Sequence, residues 1–368
     1  MRLDKFKGCL YGGAVGDALG YPIEFRSAED IFILYGKNGI QDYELFHGKA
    51  LISDDTQMTL FTANGLLVGY ACLYLRGDMG KWQNYIEAAY KDWMITQNEK
   101  CGQANPYCKS WLLNVEEMYR CRAPGITCLS ALRDEKCGSV SDPVNDSKGC
   151  GGIMRVAPVG LYLPQYIDNL IEVDQVGAEV AAITHGHPLG YIPAAALVHI
   201  VAKCAFSDNG LEEIIAEAIE TTIAIYKDKP YIDEFKNIMN KAVFLAHQDL
   251  NDLDAIREIG EGWVAEETLA IAVYCSLKYQ DDFTKAVTAS VNHGGDSDST
   301  GAVTGNIMGA YLGMSQIPNK FIEPLEFKEV ISDIAADLCE ECWRNEYENT
   351  GDNKWHLKYF AGEHPDYK

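Results

Sequence analysis

Long apolar runs are missing from this chain. No eighteen consecutive apolar residues occur, which removes the usual signature of a membrane-spanning helix. The opening residues, MRLDKFKGCLYGG, lack the apolar core and cleavage site of a secretory leader. A cytoplasmic protein that does not engage a membrane is the expectation. Positive charge is scarce as well: 31 Lys and Arg stand against 54 Asp and Glu, for a formal charge of -23. Such a surface repels phosphate backbones and anionic lipid, which argues against non-specific nucleic-acid binding but leaves room for one phosphorylated ligand in a local site. Cysteine is dilute, with 12 in 368 residues, and Cys9, Cys72, Cys204 and Cys275 lie among apolar neighbours where reduced thiols pack. Cys339 and Cys342 in CEECW have metal-like spacing without a second CxxC, which favours a buried helical face over a zinc site.

Strand-like alternation is also lacking, whereas segments such as DDTQMTLFTANGLLVGYACLYL, GLEEIIAEAIETTIAIY and VAEETLAIAVYCSLKY repeat apolar residues at helical spacing. The fold class expected is therefore all-α. No low-complexity linker divides the chain, so residues 1–368 read as one domain, with a loop-rich insertion around 102–148.

Glycine, in contrast, is patterned. Gly8, Gly12, Gly16 and Gly20 recur every fourth residue near the start, as do Gly301, Gly305, Gly309 and Gly313 near the end. Each glycine inside a helix costs roughly 1 kcal/mol against alanine, so four per helix need a packing return, which is close backbone approach. Asp17 and Asn306 interrupt the runs, and two buried helices of a water-soluble core are expected, packed on each other.

Five short segments carry chemistry. Ser53-Asp54-Asp55-Thr56 opens a helical stretch, and taken alone a helix cap is its simpler reading. HGGDSDSTG, from His293, places Asp296 and Asp298 in a glycine-rich bend, where a turn is again the simpler reading of the isolated segment. Together the two clusters supply four carboxylates and several hydroxyls, the donors a hard divalent cation takes, and neither holds a cysteine or paired histidines to favour zinc. Magnesium or manganese follows. NDSKGCGGIMRVAPVG offers free backbone N–H groups with Lys148 and Arg155, so it suits a phosphate or a plain connector equally. ITHGHPLGYIP holds His185 and His187, and GDALGYPIEF places Glu24 just after Pro22 ends a helix.

In this order, GDALGxxxE, SDDT, KGCGGIMRVAP, THGHP and HGGDSDS resemble the ADP-ribosylglycohydrolase family over most of the chain. The resemblance implies a compact, orthogonally packed helical bundle with a central metal-lined cleft that binds ADP-ribose and holds two ions, Mg2+ or Mn2+. It makes Ser53, Asp54, Asp55, Asp296, Asp298 and Ser299 the metal ligands. It sets Glu24 at the catalytic edge, with Asp55 and Asp298 serving catalysis as well. Gly149, Cys150, Gly151, Gly152, Met154, His187 and Gly294 become the substrate-binding set. The substrate implied is an ADP-ribosylated protein or a small ADP-ribose compound. Arginine-linked ADP-ribose is the first choice; serine-linked ADP-ribose and O-acetyl-ADP-ribose are the alternatives. From the acid clusters alone a two-metal nucleotide phosphoesterase stays open, as does a non-catalytic ADP-ribose-binding protein.

Overall fold

The computed structural model describes residues 2–76, 80–97, 106–107, 109–134, 136–340 and 353–367. Helices follow one another along it: α1 (Arg2–Gly20), α2 (Ala28–Tyr35), α3 (Asp54–Arg76), α4 (Trp82–Thr96), α5 (Ile126–Arg133), α6 (Ala157–Tyr162), α7 (Leu170–Ala182) and α8 (Pro188–Phe206). The second half adds α9 (Leu211–Ile225), α10 (Ile232–Ala246), α11 (Asp252–Ile259), α12 (Ala265–Lys278), α13 (Phe283–Val291), α14 (Ser297–Leu312), α15 (Asn319–Ile322) and α16 (Lys328–Cys339). Among the described residues the only sheet is the two-residue antiparallel pair Leu45–Phe46 with Lys49–Ala50. The protein is all-α, as the helical periodicity predicts.

At its centre α1 and α14 lie backbone to backbone. A Cβ added to Gly8 would sit 2.2 Å from the Gly309 carbonyl oxygen, one on Gly12 2.2 Å from that of Gly305, and one on Gly16 1.9 Å from that of Gly301. Low numbers face high ones, so the helices are antiparallel, and the two glycine ladders do pack on each other. The fourth rung differs from the expectation: Gly20 faces the Ser297 carbonyl, 2.2 Å from its added Cβ, whereas Gly313 ends α14 at φ +90 beside the Asp4 carboxylate. That left-handed conformation is glycine's own, so Gly313 is a helix stop rather than a contact.

Both residues that break the glycine runs turn out to tie the core together. Asn306 donates from Nδ2 to the Cys9 carbonyl at 2.9 Å, a cross-link between α14 and α1. Asp17 is fully buried on α1 and reaches the start of α3. The antiparallel arrangement also brings the end of α1, leading to Glu24, against the beginning of α14, which follows Asp296.

By length and composition α8 is the one described helix apolar enough to cross a membrane, but 83% of that stretch is buried inside the protein. It packs against α7, α9, α12, α14 and α6, so its hydropathy is that of a core helix. Cys9, Cys204 and Cys275 are buried free thiols. Cys339 ends α16; Cys342 lies outside the described residues.

Candidate active site

The site is assembled from the ends of helices. Asp17 accepts from the Ser53 N–H at 2.9 Å through Oδ1, and through Oδ2 from the Thr56 N–H at 3.1 Å and the Thr56 hydroxyl. A buried carboxylate on α1 thereby takes up the unpaired N–H groups at the start of α3, as a cap does. Ser53 itself caps Asp55 N–H at 3.2 Å through Oγ, so the helix-start reading of SDDT is correct as far as it goes. Asp54 is held from the other side: its N–H donates to the Arg122 carbonyl at 2.9 Å, and its Oδ2 accepts from the Gly125 N–H at 3.2 Å. The loop carrying Arg122 is in turn anchored by a buried ion pair with Glu326 at 2.8 Å.

Asp296 caps α14 through Oδ1, accepting from Ser299 N–H at 3.2 Å, while Oδ2 accepts from the Cys150 thiol at 2.7 Å. The backbone N–H of Asp296 donates to the Glu261 carbonyl at 2.9 Å, and that of Cys150 to the Trp263 carbonyl at 3.2 Å. One loop, Glu261 to Trp263, thus fixes both strands of the site. Glu24 follows a single turn of tight helix, and Phe25 after it takes a left-handed φ of 66 and stacks on Trp263, ring centres 5.3 Å apart.

These pieces enclose a cavity of about 350 Å³. Glu24, Asp54, Asp55, Asp296, Asp298 and Ser299 line it, together with Gly149, Cys150, Gly151 and Met154. The early and late acid pairs therefore meet. Ser53 is buried behind them, its hydroxyl 3.3 Å from Asp55 Oδ2, and Gly152 packs beneath the loop against the Gly190 carbonyl. His187 and Gly294 are placed elsewhere. His187 caps α8, accepting from Leu189 N–H at 3.0 Å, and meets the Tyr231 ring at a tilt of 38°, while Gly294 lines a neighbouring cavity with Ser27 and Arg257. The histidine that does line the cleft is His185. Burial, with the Arg155 charge adding to it, lowers its pKa to about 3, so it is neutral across the physiological range. Neither cation of the glycine loop lines the cleft: Lys148 pairs with Glu266, and Arg155 is fully buried, donating to Thr184 Oγ1 at 2.6 Å.

Sequence reasoning missed Asp17, Phe25, Trp263 and the segment from Ala123 to Cys128, all of which build or line the site. Only Asp17 carried a usable signal, the one charged residue in the glycine-rich part of α1 from Gly8 to Gly20. Phe25, Trp263 and the 123–128 segment reach the cleft through chain reversals that have no periodic trace.

Every carboxyl here is pushed upward. Glu24 rises to about 8, by burial first and then by the charges of Asp296, Asp54 and Asp17. Asp54 also rises to about 8 and Asp17 to about 6, burial again leading, and Asp55 and Asp298 lie well above the carboxylate range. Crowded acids of this kind are stabilised in their charged form by a cation. Two observations fit that demand. Oxygens of Glu24, Asp296 and Asp298 come within 4.8 Å of one another, and Asp55 Oδ1 is buried without a hydrogen-bond partner. The donors are oxygen-rich and anionic, as hard divalent cations require.

An all-helical frame thus sets an acid-lined cleft at the ends of its two central helices. The family model described as ADP-ribosylglycohydrolase matches residues 1–348, and the chain belongs to that family. It is accordingly an ADP-ribosylglycohydrolase, acting on ADP-ribosylated substrates or ADP-ribose derivatives. A protein of Archaeoglobus fulgidus called uncharacterized is 27% identical over 346 residues, covering 92% of this chain and 96% of that one. ADP-ribosylhydrolase ARH3 of Bos taurus is 25% identical, with 91% and 92% covered, and its Homo sapiens counterpart 23%, with 91% and 93%. A solved structure titled ADP-ribosylglycohydrolase-related protein complex superposes with a TM-score of 0.59 at 19% identity, covering 92% of this chain and 98% of that one, a likeness of fold.

Proposed function

We propose that this chain, acting as one domain of residues 1–368 in the cytoplasm, removes ADP-ribose from arginine side chains of modified proteins and releases it intact. The observation that carries this reading is the convergence of Glu24, Asp54, Asp55, Asp296 and Asp298 on one cavity. Ser53, Asp54, Asp55, Asp296, Asp298 and Ser299 would hold two divalent cations, Mg2+ or Mn2+. Such ions supply charge to orient vicinal ribose hydroxyls and to acidify a water.

The chain's own groups do the rest. Cleaving a ribosyl C–N bond passes through an oxocarbenium-like state, which needs a held sugar, a water on one face and a proton acceptor. Glu24, on the cavity wall with Asp298, would be ionised beside bound cations; it accepts the proton of the water as the C–O bond forms and passes it to the departing guanidine nitrogen as the C–N bond breaks, and no covalent intermediate forms. The Gly149–Gly151 stretch lines the side of the cavity that would take the diphosphate, with neutral His185 beside it. The preference for arginine is supported by the cleft wall, where among the described residues no lysine or arginine lines the cavity and the Phe25–Trp263 stack offers an aromatic surface to a guanidinium.

The test is to incubate the protein with arginine-linked and serine-linked ADP-ribosyl peptides, with and without Mg2+, and to weigh the products. Free ADP-ribose from the arginine peptide, dependent on Mg2+, is expected. Release from the serine peptide alone refutes the linkage, and release of phosphate or nucleoside monophosphate refutes the reaction.

A further inference from the structure

The family match ends at residue 348, and the described residues 353–367 lie beyond it. They place a lysine in the core. Lys358 is 1% exposed, its Nζ 2.7 Å from Asp337 Oδ2 and bonded also to Asp333, both carboxylates standing on α16. Tyr359 donates its hydroxyl to Asp337 as well, and His364 Nε2 lies 2.6 Å from Asp333 Oδ2. A buried ammonium is costly anywhere but beside its carboxylates, so the segment has one seated position on α16. Seated there, it grips Trp111, which is fully buried. The Lys358 ammonium stands 5.5 Å over the indole, with the His364 and Tyr367 rings at 4.5 and 5.7 Å. Alongside, Asn114 Nδ2 donates to the Gly362 carbonyl at 3.2 Å. Trp111–Asn114 is a single turn of tight helix, and the chain leaving it runs directly to the cleft. Gln57 Nε2 donates to the Arg120 carbonyl at 3.2 Å, Asp54 N–H to the Arg122 carbonyl at 2.9 Å, and Gly125 N–H to Asp54 Oδ2 at 3.2 Å. Residues 123–128 then form one wall of the cavity.

We propose that residues 353–367 form a strap that sets the position of this cleft wall through the Trp111–Asn114 turn, with Lys358 as the positioning residue. The proposal rests on the reading of the cleft as the place where cation and ADP-ribose bind, and adds to it an element that remotely sets their affinity. None of the strap's own residues lines the cavity. Its influence therefore passes along the chain from Trp111 to Gly125, and what it holds in place is the Gly125 N–H against Asp54. Loosening it lets the wall drift from Asp54 and weakens binding. Glu24 stands on a different element, so the bond-breaking step keeps its rate once cation and substrate are bound.

Two variants of the full chain test this. Lys358→Met cuts the strap at its centre, and Asn114→Ala removes the bond to Gly362 without stranding a buried charge, so it remains informative if the first fails to fold. Calorimetric titration with Mg2+ and with ADP-ribose is expected to show binding weakened by about three- to tenfold in both variants. At saturating Mg2+ and substrate, kcat stays within about twofold of the parent while KM rises. Amide exchange followed by mass spectrometry rises through residues 110–125, the Gly125 amide included, whereas a segment that only adds stability would lower the melting temperature and raise exchange at 111–114 alone. Unaltered Mg2+ and ADP-ribose affinities in folded Asn114→Ala protein, or exchange that rises at 111–114 and stops short of 122, overturns the proposal. A parent that binds both probes while the variants bind them equally well sinks the strap alone; a parent that binds neither sinks the reading of the cleft with it.

Discussion

Replacing Gly16 by alanine tests the link between the central helix pair and the site. The new methyl carbon would lie 1.9 Å from the Gly301 carbonyl oxygen and 2.2 Å from its carbon. Comfortable contacts of this kind are about 3.5 Å, so the helices must part by more than about 1 Å at that rung. The opposing atoms are backbone and cannot rotate aside. Alanine recovers roughly 1 kcal/mol of helix propensity, against an overpacking cost at the upper end of roughly 1–3 kcal/mol. A net loss of about 2 kcal/mol is expected. The separation also shifts the end of α1 relative to the start of α14, so Glu24 and Asp298 lose register and Mg2+ affinity falls together with stability. Gly210→Ala is the control: its added Cβ meets nothing within 4 Å, and the residue sits at an ordinary φ of -66. Thermal melting and Mg2+ calorimetry on both variants decide the matter. A Gly16→Ala protein as stable as the parent, with unaltered Mg2+ affinity, would show that the helices part freely and that their contact does not set the site.

Asp298→Asn removes one anionic ligand and is expected to weaken Mg2+ binding by about 10–100-fold, with activity partly restored at high Mg2+; full activity at low Mg2+ would contradict the assignment. Glu24→Gln keeps the shape but loses the proton acceptor, so kcat should fall by roughly 10²–10⁴ with little change in KM; undiminished turnover removes Glu24 from the mechanism. The raised carboxyls predict a pH effect of definite sign. Asp54 and Glu24 hold their protons up to about 8, and protons compete with cations, so Mg2+ affinity rises with pH through that value. In the metal-free protein the same shifts favour folding below the unfolded carboxyl value near ~4, and this contribution is lost as pH climbs through about 8. The melting temperature should therefore fall on raising pH over that window without Mg2+ and fall less with it; a pH-independent metal-free melting curve would refute the crowding argument.

Much of this was legible in order along the chain. The helical class followed from apolar spacing, because an amphipathic or buried helix writes its period into sequence. The two acid clusters could be found because their carboxylates sit within two positions of each other in each segment. His187 shows the limit of such reading. Of two histidines on either side of a glycine the resemblance singled out His187, yet His185 lines the cleft while His187 caps α8 through Nδ1. Lys148 and Arg155 show another limit, since a cation beside a glycine loop suggests phosphate until its actual partners, Glu266 and Thr184, are known. Trp263 had no local signal, because its role depends on a backbone hydrogen bond to Cys150 more than a hundred positions away.

The amino-acid order by itself determined the helices, the glycine ladders and the inventory of acids, since each depends on spacing within a turn or two of backbone. Only the tertiary structure decided that α1 and α14 run antiparallel, that Asp17 organises the start of α3, and that Cys150 reaches Asp296. Those are contacts between separate segments, from 36 residues apart for Asp17 and Ser53 to 297 for Cys9 and Asn306. They are set by which surfaces close most tightly in three dimensions, where a glycine meets a carbonyl, and not by any local preference of the chain.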